Sequence, residues 1–170
     1  MRRDPPRRLR QNSRVSMDDA IRIVTTTQTP TAVVAETTSW EEFPRVWGAL
    51  LDEVWAFLRQ SDLATGRNVM LYKDDVPHVE VGVEVNGSFA GSGRVVPSSL
   101  PAGLAATVVA RGAPSADGLA RAHTAVRRWC AANGHQLTGA RLEVYGHWLE
   151  DQDPALFETE VYWQLDPDSV

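Results

Sequence analysis

Carboxylates alternate with aromatic rings near the end of this chain. In FETEVYWQL, Glu158, Glu160, Tyr162 and Gln164 share one face of an extended strand, while Thr159, Val161, Trp163 and Leu165 share the other. In the preceding run ARLEVYGHWL, Glu143, Tyr145 and His147 alternate with Leu142, Val144 and Trp148, so Tyr145 is expected across from the acidic face of its neighbour. A carboxylate walled by rings suits a lipophilic cation, because charge and ring quadrupole attract it together while its apolar body is buried. Neutral planar aromatics fit such a wall too. Against this stands the ordinary polar outer face of a half-exposed strand, which accounts equally for Glu158, Glu80 and Glu84. Trp47 and Trp55 fall on a helical stripe and Trp40 at its start, where core packing and a ligand platform are both open. Trp148 and Trp163 lie nearer the acidic face, with sheet packing as the alternative.

Other chemistries find little support. The four histidines (His78, His123, His135, His147) show no ligand spacing with one another or with the single cysteine, Cys130, so no metal site is expected. Gly91-Ser92-Gly93 is no nucleophile elbow, and no phosphate-binding or dinucleotide glycine pattern occurs, so no cofactor is expected. With 17 Lys+Arg against 22 Asp+Glu the net charge is -5, which disfavours nucleic acid unless basic residues are segregated. They are segregated only in the opening residues, at Arg2, Arg3, Arg7, Arg8, Arg10 and Arg14. That tail is read as a basic flexible extension over residues 1 to 20, with Met17 a candidate start. It lacks the apolar core of a secretory signal, and no run reaches the length of a membrane span, so cytoplasmic residence is the expectation.

The elements that must position these residues follow from periodicity. IRIVTTTQTPTAVVAE reads as one strand kinked at Pro30. Ser39 and Glu42 form a capping-box pattern ahead of Phe43, Trp47, Leu50, Leu51, Val54 and Leu58, predicting a helix over about 40 to 61. NVMLY and HVEVGVEV then form a hairpin whose Val79, Val81, Val83 and Val85 make an apolar face, and NGSFAGSG supplies a loop. The order repeats: LAATVVAR as a strand, a helix from Pro114-Ser115 to Asn133-Gly134 with Leu119, Ala122, Val126 and Cys130 as its core stripe, then the two strands described first, joined by EDQDPA. The fold class is therefore α+β, a duplicated β-α-β-β unit sharing one antiparallel sheet with two long helices and a ligand groove at the pseudo-twofold seam. The folded unit is expected over residues 21 to 166, followed by a short tail from 167 to 170. No DNA-reading helix pair remains once both helices are assigned to the sheet.

With Glu160-Val161-Tyr162 in its closing strand, its repeated element order and the segment VVAETTSWEEFPRVWGALLDEV, the chain resembles the GyrI-like (DNA gyrase inhibitor-like) effector-binding domains over residues 22 to 165. The resemblance implies a groove with an acidic residue in it. That role is carried onto Glu160, with Tyr145, Trp148 and Tyr162 as aromatic neighbours and Trp163, Trp47 and Glu80 as further candidates. It also implies a stand-alone binding protein of multidrug type for hydrophobic, cationic aromatic compounds. The alternative it offers is a hydrolase opening the cyclopropane of DNA-alkylating natural products through Glu160 and Tyr145. Where many relatives have a proline near the end, this chain reads YWQL. Oligomeric state is not legible.

Overall fold

The computed structural model describes residues 20–169, so the basic tail and Met17 lie outside the described residues. The elements are β1 (Arg22–Thr26), β2 (Thr29–Thr37), α1 (Phe43–Leu58), β3 (Thr65–Tyr72), β4 (His78–Val85), β5 (Val95–Leu100), β6 (Gly103–Arg111), α2 (Ala116–Ala132), β7 (Leu137–Tyr145) and β8 (Glu158–Leu165). All strands join one antiparallel sheet in the order β1-β6-β8-β7-β3-β4-β2-β5. The order is symmetric about the β7–β3 pair, with β3 equivalent to β7, β4 to β8, β2 to β6 and β1 to β5. The duplicated α+β architecture expected from element order is therefore the one observed.

Several boundaries differ from the sequence reading. The opening strand breaks at Thr27-Gln28 rather than at Pro30, which sits inside β2 opposite Ser99. The segment VVPSSL, unassigned from sequence because Pro97 and two serines interrupt its apolar pattern, forms β5. Each half thus begins with a broken strand, β1 into β2 and β5 into β6, and the two broken strands run antiparallel to each other, from Arg22↔Thr107 through Thr26↔Gly103 and on through Thr29↔Leu100. Because they join the two ends of the strand order, the sheet returns on itself. This explains why its helix-free face is also a core: Val69, Leu71, Leu100, Leu142 and Val144 are buried there with Tyr162 packed against them.

The other face carries the helices. Val54 and Leu58 of α1 pack on Val79, Val81, Val83 and Val85, and Ala122, Val126 and Cys130 of α2 on Ala106, Val108 and Val161. Burying each valine- or leucine-sized side chain contributes about 1.5–3 kcal/mol. Helix α2 starts as expected, with Ser115 Oγ accepting from Gly118 N at 3.1 Å. Helix α1 is shorter than its periodicity implied. Ser39 instead holds the preceding turn, its carbonyl accepting from Phe43 N at 2.9 Å, and Pro44, which needs no amide partner, occupies the first turn. Strand β7 stops at Tyr145, so His147 and Trp148 leave the alternation expected of them. No described helix is long and apolar enough to cross a membrane.

Candidate functional site

The two helices flank the β7–β3 seam without meeting over it, leaving a cavity of about 1220 Å³. Strand alternation dictates its floor. Register pairs Met70 with Glu143, Tyr72 with Arg141 and Asn68 with Tyr145, and it pairs Glu143 with Val161 and Arg141 with Trp163, so these side chains project toward the helices. Trp47, Leu51 and Trp55 of α1 form one wall, Leu119 and His123 of α2 the other, with Trp40 at one end and Trp148 and Phe157 at the opposite end. Five of the six tryptophans, all except Trp129, therefore line one space. Trp40, Trp47 and Trp148 remain 46%, 40% and 54% exposed, an apolar rim of the kind that marks binding sites.

Glu143 lies at the centre of the floor, with only 4% of its side chain exposed. A buried carboxylate is costly unless hydrogen-bonded. Here Oε2 accepts from the Tyr72 hydroxyl at 3.1 Å and the Tyr145 hydroxyl at 2.5 Å, and Oε1 lies 2.7 Å from His123 Nε2. His123 Nδ1 meets Trp163 Nε1 at 3.0 Å. An indole N–H only donates, so Nδ1 accepts, the imidazole proton resides on Nε2, and Nε2 donates to Glu143. A chain of donors thus runs from Trp163 through a neutral His123 into the carboxylate. Burial, then the Glu143 charge, pushes the phenols of Tyr72 and Tyr145 far above their ordinary value, keeping both as donors. Nearby, Trp55 Nε1 donates to Asn68 Oδ1 at 3.0 Å and fixes its ring against the floor. What results is an anion held rigidly beneath aromatic surfaces.

Of the residues singled out from sequence, the structure brings Tyr145, Trp148, Trp163 and Trp47 to this cavity. It does not bring Glu160, Tyr162 or Glu80. Val144 is the register partner of Glu160, so Glu160 shares the helix-free face with Val144 and Leu142, and Tyr145 stands on the other side of the sheet from it. There Glu160 Oε2 accepts from Arg67 Nη1 at 3.0 Å and from the Tyr162 hydroxyl at 2.8 Å, while Arg67 also binds Glu84. Burial and Glu160 push the Tyr162 phenol up to about 12. Glu80 on the same face pairs with Lys73 at 2.6 Å and accepts from Ser98 Oγ at 2.8 Å. One residue of register separates the face that carries Glu160 from the face that carries the cavity. Sequence reasoning missed Glu143, Tyr72, His123 and Arg141 as site residues. A signal for the first was present, since Glu143-Val144-Tyr145 repeats the tripeptide Glu160-Val161-Tyr162. Among the described residues, no group of three or more His, Cys, Asp or Glu is gathered around a possible metal position.

The family model of the GyrI-like small molecule binding domain matches residues 19–166. Among solved structures, the C-terminal domain of EcmrR is similar with a TM-score of 0.71 at 19% identity, covering 86% of this chain and 96% of that one. SAV2435 bound to tetraphenylphosphonium is similar with a TM-score of 0.65 at 14% identity, covering 86% and 94%. A hydrolase from Listeria innocua is similar with a TM-score of 0.55 at 8% identity, covering 86% and 91%. At these identities the likeness is one of fold. No protein of curated function matches the chain.

Proposed function

This chain belongs to the GyrI-like small molecule binding domain family, and on that premise we propose that it binds hydrophobic aromatic compounds of cationic character in the cavity between α1 and α2. The observation that carries the reading is Glu143, buried beneath tryptophan walls and fixed by Tyr72, Tyr145 and His123. Neutral donors leave the negative charge in place, and a ligand cation stacked on the rings above lies in its field with little water to screen it. The acidic role expected of Glu160 passes to Glu143 in this reading, while Tyr145, Trp148, Trp163 and Trp47 keep theirs. The lipophilic cation bound by SAV2435 supports the ligand class. Sensing or sequestration of such compounds in the cytoplasm, in the multidrug manner, is the corresponding biological role. Titration with tetraphenylphosphonium, followed by quenching of tryptophan fluorescence, tests it: saturable quenching is expected, and its absence across lipophilic cations removes the reading.

A hydrolytic reading would run through Glu143 and Tyr145, whose side chains touch in the cavity. Binding is favoured because Oε2 accepts from both phenols and Oε1 from His123 Nε2, so a water would have to compete with three fixed donors for the carboxylate. Catalytic consumption of a cyclopropane-bearing alkylator would reverse that preference; stoichiometric retention without product agrees with binding.

A further inference from the structure

Arg141 shares the cavity floor with Glu143, two residues along β7, and its setting is not that of a solvated surface arginine. Only 9% of its side chain is exposed. Its guanidinium lies 4.9 Å from the ring centroid of Trp163, 5.0 Å from that of Trp40 and 5.8 Å from that of Tyr72. Such a cage holds a cation firmly in one place. Among the described residues its hydrogen bonds leave from Nη1 alone, to Asp75 Oδ1 at 2.8 Å and Gly139 O at 3.0 Å. The edge formed by Nε and Nη2, the one that meets a carboxylate side-on, is not used in those bonds. Asp75 is a poor counterion, since 88% of its side chain is exposed and water competes for both partners.

The charges around the cavity sharpen the point. Glu143 and Asp75 are matched by Arg141 and by Arg127, which stands over Trp163 at 5.7 Å. A ligand that is only a cation therefore gains from Glu143 and loses to Arg141. One that carries both charges gains from each. Two residues on one face of a strand stand about 7 Å apart, a spacing that a single planar aromatic molecule spans.

We propose that the Arg141 end of the cavity is an anion-accepting subsite, so that the preferred ligand is an amphoteric aromatic compound: its cationic or proton-donating part lies over Glu143, and a carboxylate or equivalent anionic group meets Arg141 in place of Asp75. This deepens the binding function proposed above and rests on it. The test compares two dyes that differ only in the anion, rhodamine B, with a free carboxylate beside its xanthylium cation, and its ethyl ester, which is a cation alone. The wild-type chain is expected to bind rhodamine B about tenfold more tightly than the ester. Arg141→Gln is expected to erase that preference. Because Arg141 is buried and its loss can impair folding, Asp75→Asn, at an exposed side chain, provides the second arm: it should tighten rhodamine B about threefold by freeing the guanidinium, and should not tighten the ester. Equal or tighter binding of the ester by the wild type overturns the subsite while leaving the binding function standing, and an Asp75→Asn variant with unchanged rhodamine B affinity does the same. Binding of neither dye overturns the subsite, and the binding function falls with it only if tetraphenylphosphonium also fails to quench.

Discussion

Glu143 and Glu160 each open the tripeptide Glu-Val-Tyr, and they lie on opposite faces of one sheet. The β7–β8 ladder pairs Val144, not Glu143, with Glu160. Glu143 therefore faces the helices with Tyr145, and Glu160 faces the closed side with Tyr162. Each carboxylate accepts from the tyrosine two residues further on, at 2.5 Å for Tyr145 and 2.8 Å for Tyr162. The same local motif serves a cavity floor on one strand and an arginine-bridged structural cluster on the next.

All three tyrosines of the chain are hydrogen-bonded to these two carboxylates, and the phenol of each is pushed up by burial first. A raised folded-state value means that the folded protein holds the phenolic proton more tightly than the unfolded chain. The resulting stabilisation is complete below the ordinary value of 10.0 and is lost as pH rises beyond it. Alkaline titration followed by tyrosinate absorbance should show no ionisation near pH 10 while the fold persists, Tyr162 ionising at about 12 and the other two only with unfolding. A tyrosine titrating freely near 10 in the folded protein would contradict these hydrogen bonds.

Trp148 tests whether the exposed rim serves ligand or fold. The residue is 54% exposed, and its ring tilts against Phe157 with centroids 5.4 Å apart. Trp148→Ala should change unfolding stability by no more than about 0.5 kcal/mol, as for a surface position. The same variant should weaken binding of an aromatic cation about tenfold. Chemical denaturation and dye titration on one sample separate the two effects.

Leu142 points to the closed face, where Val69, Leu71, Leu100 and Val144 surround it. Leu142→Ala should cost about 2–5 kcal/mol, because the ring of strands cannot collapse onto the void. Ligand affinity of the folded fraction should be unchanged, since the cavity lies on the other side of the sheet. Urea unfolding gives the first quantity; a loss below about 1 kcal/mol would mean that the helix-free face is not a packed core.

Sequence periodicity carried the architecture well where one face of an element was plainly apolar. The alternating valines of β4 and the Leu119, Ala122, Val126 and Cys130 stripe of α2 are read directly, because one face of each is uniformly apolar and repeats with the element's own period. Strand β5 escaped because Pro97, Ser98 and Ser99 give no such alternation; its place is fixed by pairing with β2, which is a tertiary fact. The site was legible by residue type and not by face. Both faces of β7 and β8 are substantially buried, one under the helices and one inside the closed sheet, so alternation alone cannot say which side of a strand is the cavity, and a shift of one residue exchanges them. Tyr72, His123 and Arg141 come from three separate elements, and nothing local to any of them announces that they converge.

The decisive measurement is the affinity for tetraphenylphosphonium of two matched variants, Glu143→Gln and Glu160→Gln, each first shown to be folded by its unfolding transition. Glu143→Gln should weaken binding at least about tenfold, because the charge beneath the rings is gone, while Glu160→Gln should stay within about twofold of the wild type. Loss of affinity on substituting Glu160 with Glu143→Gln unaffected would contradict the assignment and return the acidic role to the other face of the sheet.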